Sequence, residues 1–258
     1  MWITYPQIIN IFTTNNNRYK LDTTSTMCSI FMGRSILDLL FPRFCLGCGY
    51  LGTYVCAHCE MGMKKINTPI CFYCKKPSLL GLTHPRCRQQ KGIDGFLSHY
   101  LYNGLFKKIL QESKYKGAYS VLQSLLEFPK PNLSHILNKW NDIYSPYVIS
   151  VPLHPKRIRE RGFNQSDIIA KKYFNSNMLA QTHFLQRTIN TDHLANIGNK
   201  NKRKQHIRDA FVCDKKYIPK HIILVDDVIT SGATIIECSK VLKERGAQTV
   251  LAFSLAEG

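Results

Sequence analysis

The second half of the chain alternates short apolar runs with segments of helical spacing. Tyr147-Val148-Ile149-Ser150-Val151 predicts a buried strand that Pro152 ends, and Ser166 to Phe174 predicts a helix that Asn164 can cap. His221 to Val225 predicts a second strand, followed by a turn at Thr230 to Gly232 and a helix from Ala233 to Glu244. Gly246 suits the C-cap of that helix, with Lys243 and Arg245 near the negative end of its dipole, and Thr249 to Leu255 predicts a third strand. Strands that are apolar on both faces and separated by helices form a parallel sheet covered on each side. Upstream, Leu105, Phe106, Ile109 and Leu110, then Val121, Leu122, Leu125 and Leu126, then Leu133, Ile136, Leu137 and Trp140 mark three helices, with Pro129 and Pro131 separating the last two. Residues 1–26 show no period, and an apolar stretch from Ile36 to Phe41 stops at Pro42.

Composition narrows the class. Of 258 residues, 44% are hydrophobic, enough for a real core, and no apolar run approaches the roughly 18 residues of a membrane span. Met1 to Phe12 has neither a basic n-region nor a small-residue cleavage site, so no secretory signal peptide is expected. Residues 1–35 are expected to be disordered or to precede the true start, with Met27 and Met32 as alternative starts; 36–95 form a cysteine module and 96–258 an α/β domain.

The formal charge of +18 is spread over both halves: residues 1–100 carry 11 basic and 4 acidic side chains, residues 101–258 carry 24 and 13. The densest basic stretch is 154–208, which implies a polyanion or a phosphorylated ligand. Lys202, Arg203 and Lys204 are candidate contacts to a nucleic-acid strand, on which Tyr173, Phe174, Phe184 and Phe211 could stack if they are not core.

Seven of the ten cysteines fall within 43 residues. Cys45 and Cys48 form one C-x2-C pair and Cys56 and Cys59 a second, the spacing of a zinc ribbon in which two knuckles complete a tetrahedron. Cys71, Cys74 and Cys87 follow, with His84 as the fourth ligand of a second site. Four thiolates leave no open coordination position, so the zinc is structural and stands in for a core that this short segment lacks. Such cysteine use points to a reducing cytoplasm.

The most informative segment is Ile222-Ile-Leu-Val-Asp226-Asp227-Val-Ile-Thr230-Ser231-Gly232-Ala233-Thr234. Two carboxylates emerge from a central strand, and a small hydroxylated loop opens a helix whose N-terminal amides can surround a phosphate. Gly232 lets the backbone approach closely, and the carboxylates can bind ribose hydroxyls. No G-x-x-x-x-G-K-[ST] loop accompanies the acidic strand end, which removes the ATPase reading.

This segment resembles the phosphoribosyl pyrophosphate (PRPP) signature of type I phosphoribosyltransferases. With the cysteine pairs, Leu37-Asp-Leu-Leu-Phe-Pro42, Lys114-Tyr-Lys-Gly117 and Arg161-Gly-Phe-Asn-Gln165, the chain over 36–256 resembles the ComF/ComFC competence family, a double zinc ribbon joined to a phosphoribosyltransferase-like α/β domain. The resemblance implies that Asp226 and Asp227 bind the ribose hydroxyls and that Thr230, Ser231, Gly232, Ala233 and Thr234 hold the 5′-phosphate. The loop carrying Lys156, Arg157, Arg161, Asn164 and Gln165 meets the pyrophosphate and Mg²⁺, so that Asp226, Asp227 and Arg161 carry any catalysis. Arg187 to Phe211 departs from the family pattern, with His193-Leu194 and Gln205-His206 where Gln and Asn usually stand between arginines. The function implied is handling of incoming single-stranded DNA during natural transformation, with PRPP bound and other competence proteins such as a DNA helicase as partners. The alternative is a nucleotide-salvage phosphoribosyltransferase acting on a small base; the acceptor is not legible.

Overall fold

Ile222, Ile223, Leu224 and Val225 are all fully buried, alternately on the two faces of one strand, and that strand lies in the interior of a parallel sheet. Burial of each such side chain stabilises the fold by about 2 kcal/mol. The computed structural model describes residues 42–114, 119–128, 131–174, 176–179, 184–190, 207, 209–214 and 216–258. All of these except Pro42 fall in one compact unit, Arg43–Gly258. The segment 1–35, the apolar stretch to Phe41, Tyr115 to Gly117, and Lys202, Arg203 and Lys204 lie outside the described residues.

In chain order the elements are α1 (Ala57–Met61), β1 (Gly95–Leu101), α2 (Gly104–Glu112), α3 (Tyr119–Leu126), α4 (Pro131–Tyr144), β2 (Tyr147–Ser150), α5 (Pro155–Arg161), α6 (Gln165–Tyr173), β3 (Gln186–Arg187), β4 (Phe211–Val212), β5 (His221–Ile229), α7 (Ala233–Glu244) and β6 (Thr249–Glu257). The sheet has the order β1-β6-β5-β2 with every pair parallel, while β3 and β4 form a small antiparallel ladder. One face carries Val148, Ile223, Val225, Leu251 and Phe253 against the apolar sides of α2, α3, α4 and α6. The other carries Ile149, Ile222, Leu224, Val250 and Ala252 against Ile235, Cys238 and Leu242 of α7. The expected α/β class, a parallel sheet flanked by helices, is the observed one.

Four local features differ from the sequence reading. Residues 95–101 form a strand, although Ser98 and His99 break its apolar run; pairing with β6 from Gly95↔Leu251 to Leu101↔Glu257 holds it. β5 does not end at Val225 but continues through both aspartates, because β6 stays in register as far as Ile229↔Glu257. Lys156, Arg157 and Arg161 sit on helix α5 rather than on a loop. Pro155 opens that helix, the imidazole Nδ1 of His154 accepts from the Lys156 amide at 3.2 Å, and Gly162, at φ +83°, ends it in the left-handed region. Pro131 likewise begins α4 instead of only separating it from α3. The helix predicted at Ser166–Phe174 is α6, whose cap is Asn164: its side chain accepts from the Ser166 amide at 3.1 Å.

Of the aromatic side chains considered for base stacking, Phe174 and Phe211 are buried in the core, while Tyr173 and Phe184 are partly buried and pack against it. Tyr173 and Phe174 meet Phe253 edge-on at 5.2 and 5.7 Å, and Phe211 is buried beneath the Arg187 guanidinium. The two buried rings, Phe174 and Phe211, have no face to offer a base.

The cysteine segment covers the outer edge of β1. The amide of Ile66 donates to His99 O at 2.7 Å, the amide of Leu101 to Lys64 O at 3.0 Å, and that of Thr83 to Asp94 O at 2.8 Å. An exposed strand edge invites association, and this cover removes it. A buried polar pair reinforces the cover: Tyr100 Oη donates to Glu60 Oε1 at 2.6 Å, while Lys65 Nζ lies 3.0 Å from the same carboxylate. Burial and the adjacent carboxylate hold the Tyr100 hydroxyl protonated far above its ordinary range. Tyr100→Phe strips a donor from a carboxylate that is itself buried, so urea denaturation should show a loss of about 1–3 kcal/mol; an unchanged midpoint would remove this contact from the account.

Candidate functional site

The four ligand atoms of Cys45, Cys48, Cys56 and Cys59 lie within 4.8 Å of one another, and so do those of Cys71, Cys74, His84 and Cys87. Cys48 Sγ and Cys56 Sγ are 3.7 Å apart, the separation that a tetrahedron of roughly 2.3 Å zinc–sulfur bonds requires. Gly47 is obligatory in the first knuckle, since a Cβ there would stand 2.6 Å from Cys59 Sγ. In the second site His84 Nδ1 faces Cys74 Sγ at 3.3 Å, and Nε2 lies 3.1 Å from Pro77 O. Donation from Nε2 to that carbonyl leaves Nδ1 as the metal-binding nitrogen.

The thiols show why a cation belongs there. Burial opposes ionisation of Cys45, but the amides of Cys48, Cys56 and Gly47 outweigh it and bring the thiol down to about 6. The amides of Cys74, His84 and Tyr73 similarly lower Cys71 to about 7 against its burial. Cys59 is driven well up and Cys87 up to about 11, by burial first and then by the neighbouring sulfurs. Only a divalent cation lets all these sulfurs ionise together.

The second cluster of predicted residues gathers at the carboxyl end of β5. β2 stops at Ser150 because the chain turns away at Pro152, which has no amide to donate. The N-terminus of α6 fills the space beside β5 instead. Ser166 Oγ donates to Asp226 Oδ1 at 3.2 Å, and the Asp227 amide donates to the same oxygen at 2.9 Å. Asp227 Oδ1 accepts from the Val228 amide at 2.7 Å, and Lys114 Nζ stands 3.9 Å from Asp227 Oδ2. Burial, and then the charge of Asp227, push Asp226 up to about 7 against these hydrogen bonds.

β5 runs directly into Thr230, Ser231 and Gly232, which stands at φ +72° as the N-cap residue of α7. The Ala233 amide donates to Ser231 Oγ at 3.4 Å, and Asp226 joins Thr230 to Thr234 around a recess of about 40 Å³. Hydroxyls, helix N-terminal amides and the Asp226 carboxylate thus share one small volume, with Asp227 next along the strand, a group set suited to a phosphate beside a polyol.

The structure brings Arg161 and Gln165 to this end of the sheet but ties Gln165 and Asn164 into the frame. Arg161 Nη1 donates to Gln165 Oε1 at 3.1 Å, Gln165 Nε2 to Ser113 O at 3.2 Å, and Asn164 Nδ2 to Val151 O at 3.0 Å. Asn164 and Gln165 are buried, whereas Lys156 is exposed on α5 and Arg157 is half-buried. Sequence reasoning missed Ser166, whose contact with Asp226 spans 60 residues and leaves no local signal.

A family model, the double zinc ribbon domain, matches residues 36–89. Competence protein ComFC of Streptococcus pneumoniae is 27% identical over 237 residues, covering 89% of this chain and 96% of its own. Competence protein ComFC of Bacillus subtilis is 28% identical over 215 residues, 78% of this chain and 83% of its own. DNA utilization protein YhgH of Escherichia coli O6:H1 is 32% identical over 111 residues, 42% of this chain and 48% of its own.

Over most of its length the chain is similar to the ComFC competence proteins. The matched double zinc ribbon accounts for both ligand sets, and structural zinc fits them in ligand type, number and spacing. Protein prepared without chelator should hold two zinc ions per chain, and Cys48→Ser should leave one, as read by metal analysis.

Asp226 also makes the site a destabilised one. Its folded pKa is raised above that of the unfolded carboxyl, so the native state holds the extra proton, and stability falls as pH rises from about 4 to about 7. Asp226→Asn removes this loss, worth on the order of 4 kcal/mol. The variant should melt higher than the parent at pH 8 and equal it below pH 4; the opposite trend would show that the carboxyl is not raised.

Proposed function

We propose that this chain acts in natural transformation, handling single-stranded DNA that has entered the cytoplasm, and that it binds PRPP at a phosphoribosyltransferase site. The observation that carries the ligand reading is the continuity of Asp226 and Asp227 on β5 with the Thr230 to Thr234 turn at the start of α7. Relatives named as competence proteins, aligned over most of the chain, support the biological role. Among the described residues no helix is long and apolar enough to cross a membrane, and a zinc-bound cysteine set supports a reducing compartment.

In this reading the amides and hydroxyls of Thr230, Ser231, Gly232, Ala233 and Thr234 hold the 5′-phosphate, and Asp226 and Asp227 accept from the ribose hydroxyls. Their combined negative charge favours a cationic ribose as the anomeric bond to pyrophosphate lengthens. Lys156, Arg157 and Arg161 lie on or at the end of α5, where they neutralise charge gathering on the leaving diphosphate. Gln165 acts as a positioning residue, holding Arg161 through its carbonyl while its amide anchors to Ser113. Mg²⁺ suits the oxygen donors of this site and, when bound with PRPP, supplies countercharge to the diphosphate.

Calorimetry of the full chain with Mg²⁺ and PRPP should show binding that Asp226→Asn/Asp227→Asn abolishes; heat absent at millimolar ligand sinks the ligand reading. Single-stranded DNA should bind with an affinity that falls steeply with salt and drops when Lys202, Arg203 and Lys204 become Ala. DNA binding that ignores salt, or is absent, removes the nucleic-acid half.

A further inference from the structure

The second zinc knuckle reaches the phosphate loop. In Cys71-Phe72-Tyr73-Cys74 the Phe72 ring points its Cζ at Gly232, so closely that a Cβ on Gly232 would stand 2.4 Å from it and 3.2 and 3.3 Å from the two ring atoms beside it. Glycine at 232 is therefore demanded twice, by φ +72° and by this ring. Phe72 is 7% exposed and meets Tyr73 at 5.0 Å and Phe96 at 5.5 Å, both edge-on. Lys75 Nζ lies 5.5 Å from the Phe72 ring centre and 5.3 Å from that of Phe96, and it pairs with Glu257 Oε2 at 3.3 Å. Glu257 is the register partner of Ile229, the last residue before the loop.

The same knuckle grips the helix that the loop opens. Tyr73 Oη accepts from the Ile93 amide at 2.8 Å and packs over Gly92, whose carbonyl accepts from Ser239 Oγ of α7 at 2.9 Å. One four-residue turn, closed by metal ligands at both ends, thus backs the loop through Phe72 and the body of α7 through Tyr73 and Gly92.

We propose that Phe72 is a positioning residue for the phosphate loop, so that zinc at the second site and a phosphate ligand at Thr230 to Thr234 bind cooperatively. This rests on the reading of that loop as the phosphate site. Metal closure of the knuckle fixes Phe72, and Phe72 fixes the backbone of Gly232, whose conformation aims the first amides of α7. Linkage then requires the converse, that an occupied loop slows loss of the second zinc.

The test uses the full chain in three measurements. In the unliganded protein, Phe72→Ala should speed amide hydrogen exchange across 230–235 about tenfold while leaving 147–151 and the zinc content unchanged; Phe72→Leu keeps bulk at the site and serves if the alanine variant does not fold. PRPP affinity should fall about tenfold in Phe72→Ala and also in Phe72→Tyr, because an oxygen on Cζ points at Gly232 even though the ring is kept. Tolerance of tyrosine would show a merely structural ring and overturn the proposal. In Cys48→Ser protein, which retains only the second site, saturating PRPP should slow zinc transfer to a chelator about tenfold, and an unchanged rate overturns the coupling. Unchanged exchange in Phe72→Ala overturns the proposal whether or not PRPP binds, whereas faster exchange in a protein that binds no PRPP overturns only the ligand reading.

Discussion

Sulfur ligands crowded within 4.8 Å repel one another as they ionise, and a divalent cation is what allows them to stay together. The N-terminal third of the described chain follows from that constraint. Its cysteine-bearing part, residues 43–89, contributes few buried side chains to the two apolar clusters, Val55 and Met63 on one face of the sheet and Phe72 on the other, too few to fold alone. Two cation-centred clusters supply what the apolar contacts do not. The segment between them lies along the free edge of β1, so the metal sites stabilise the sheet as well as themselves.

That edge position explains the distribution of polar contacts. The first ribbon is anchored by Glu60 beneath Tyr100, on the face that packs α2 to α4. The second is anchored through Tyr73 and Lys75, on the face that packs α7. The Asp94 side chain accepts from the Val250 amide at 2.9 Å and meets Lys243 of α7 at 2.7 Å, joining sheet and helix between these anchors. A largely buried ion pair of this kind holds register more than it adds stability, since desolvation offsets most of its attraction.

Features with a local cause were legible in the sequence. The knuckles announce themselves by C-x2-C spacing, and β5, its turn and α7 by an apolar run, four small residues and a helical period. What escaped notice has non-local causes. β1 is a strand because β6 offers it a partner, despite Ser98 and His99, and β5 runs past two carboxylates because β6 does not stop. The basic residues from Lys156 to Arg161 have no apolar period, and the helix they form buries none of its residues, so only its caps at His154 and Gly162 define it. The contact of Phe72 with Gly232 joins positions 160 apart, and nothing near either one signals the other.

The chain's positive charge takes on meaning beside Asp226 and Asp227. Two adjacent carboxylates at the end of a buried strand oppose folding, and the protein meets them with short-range donors: Ser166, two backbone amides and Lys114. None of these cancels the cost of burial and of the neighbouring charge, since Asp226 stays raised to about 7. In the proposed reading, a ligand that brings hydroxyl donors and a cation to these oxygens would relieve a cost already present in the unliganded fold. In the same reading the basic side chains of α5, a helix with no buried residue, are the groups that a diphosphate or a DNA strand would meet.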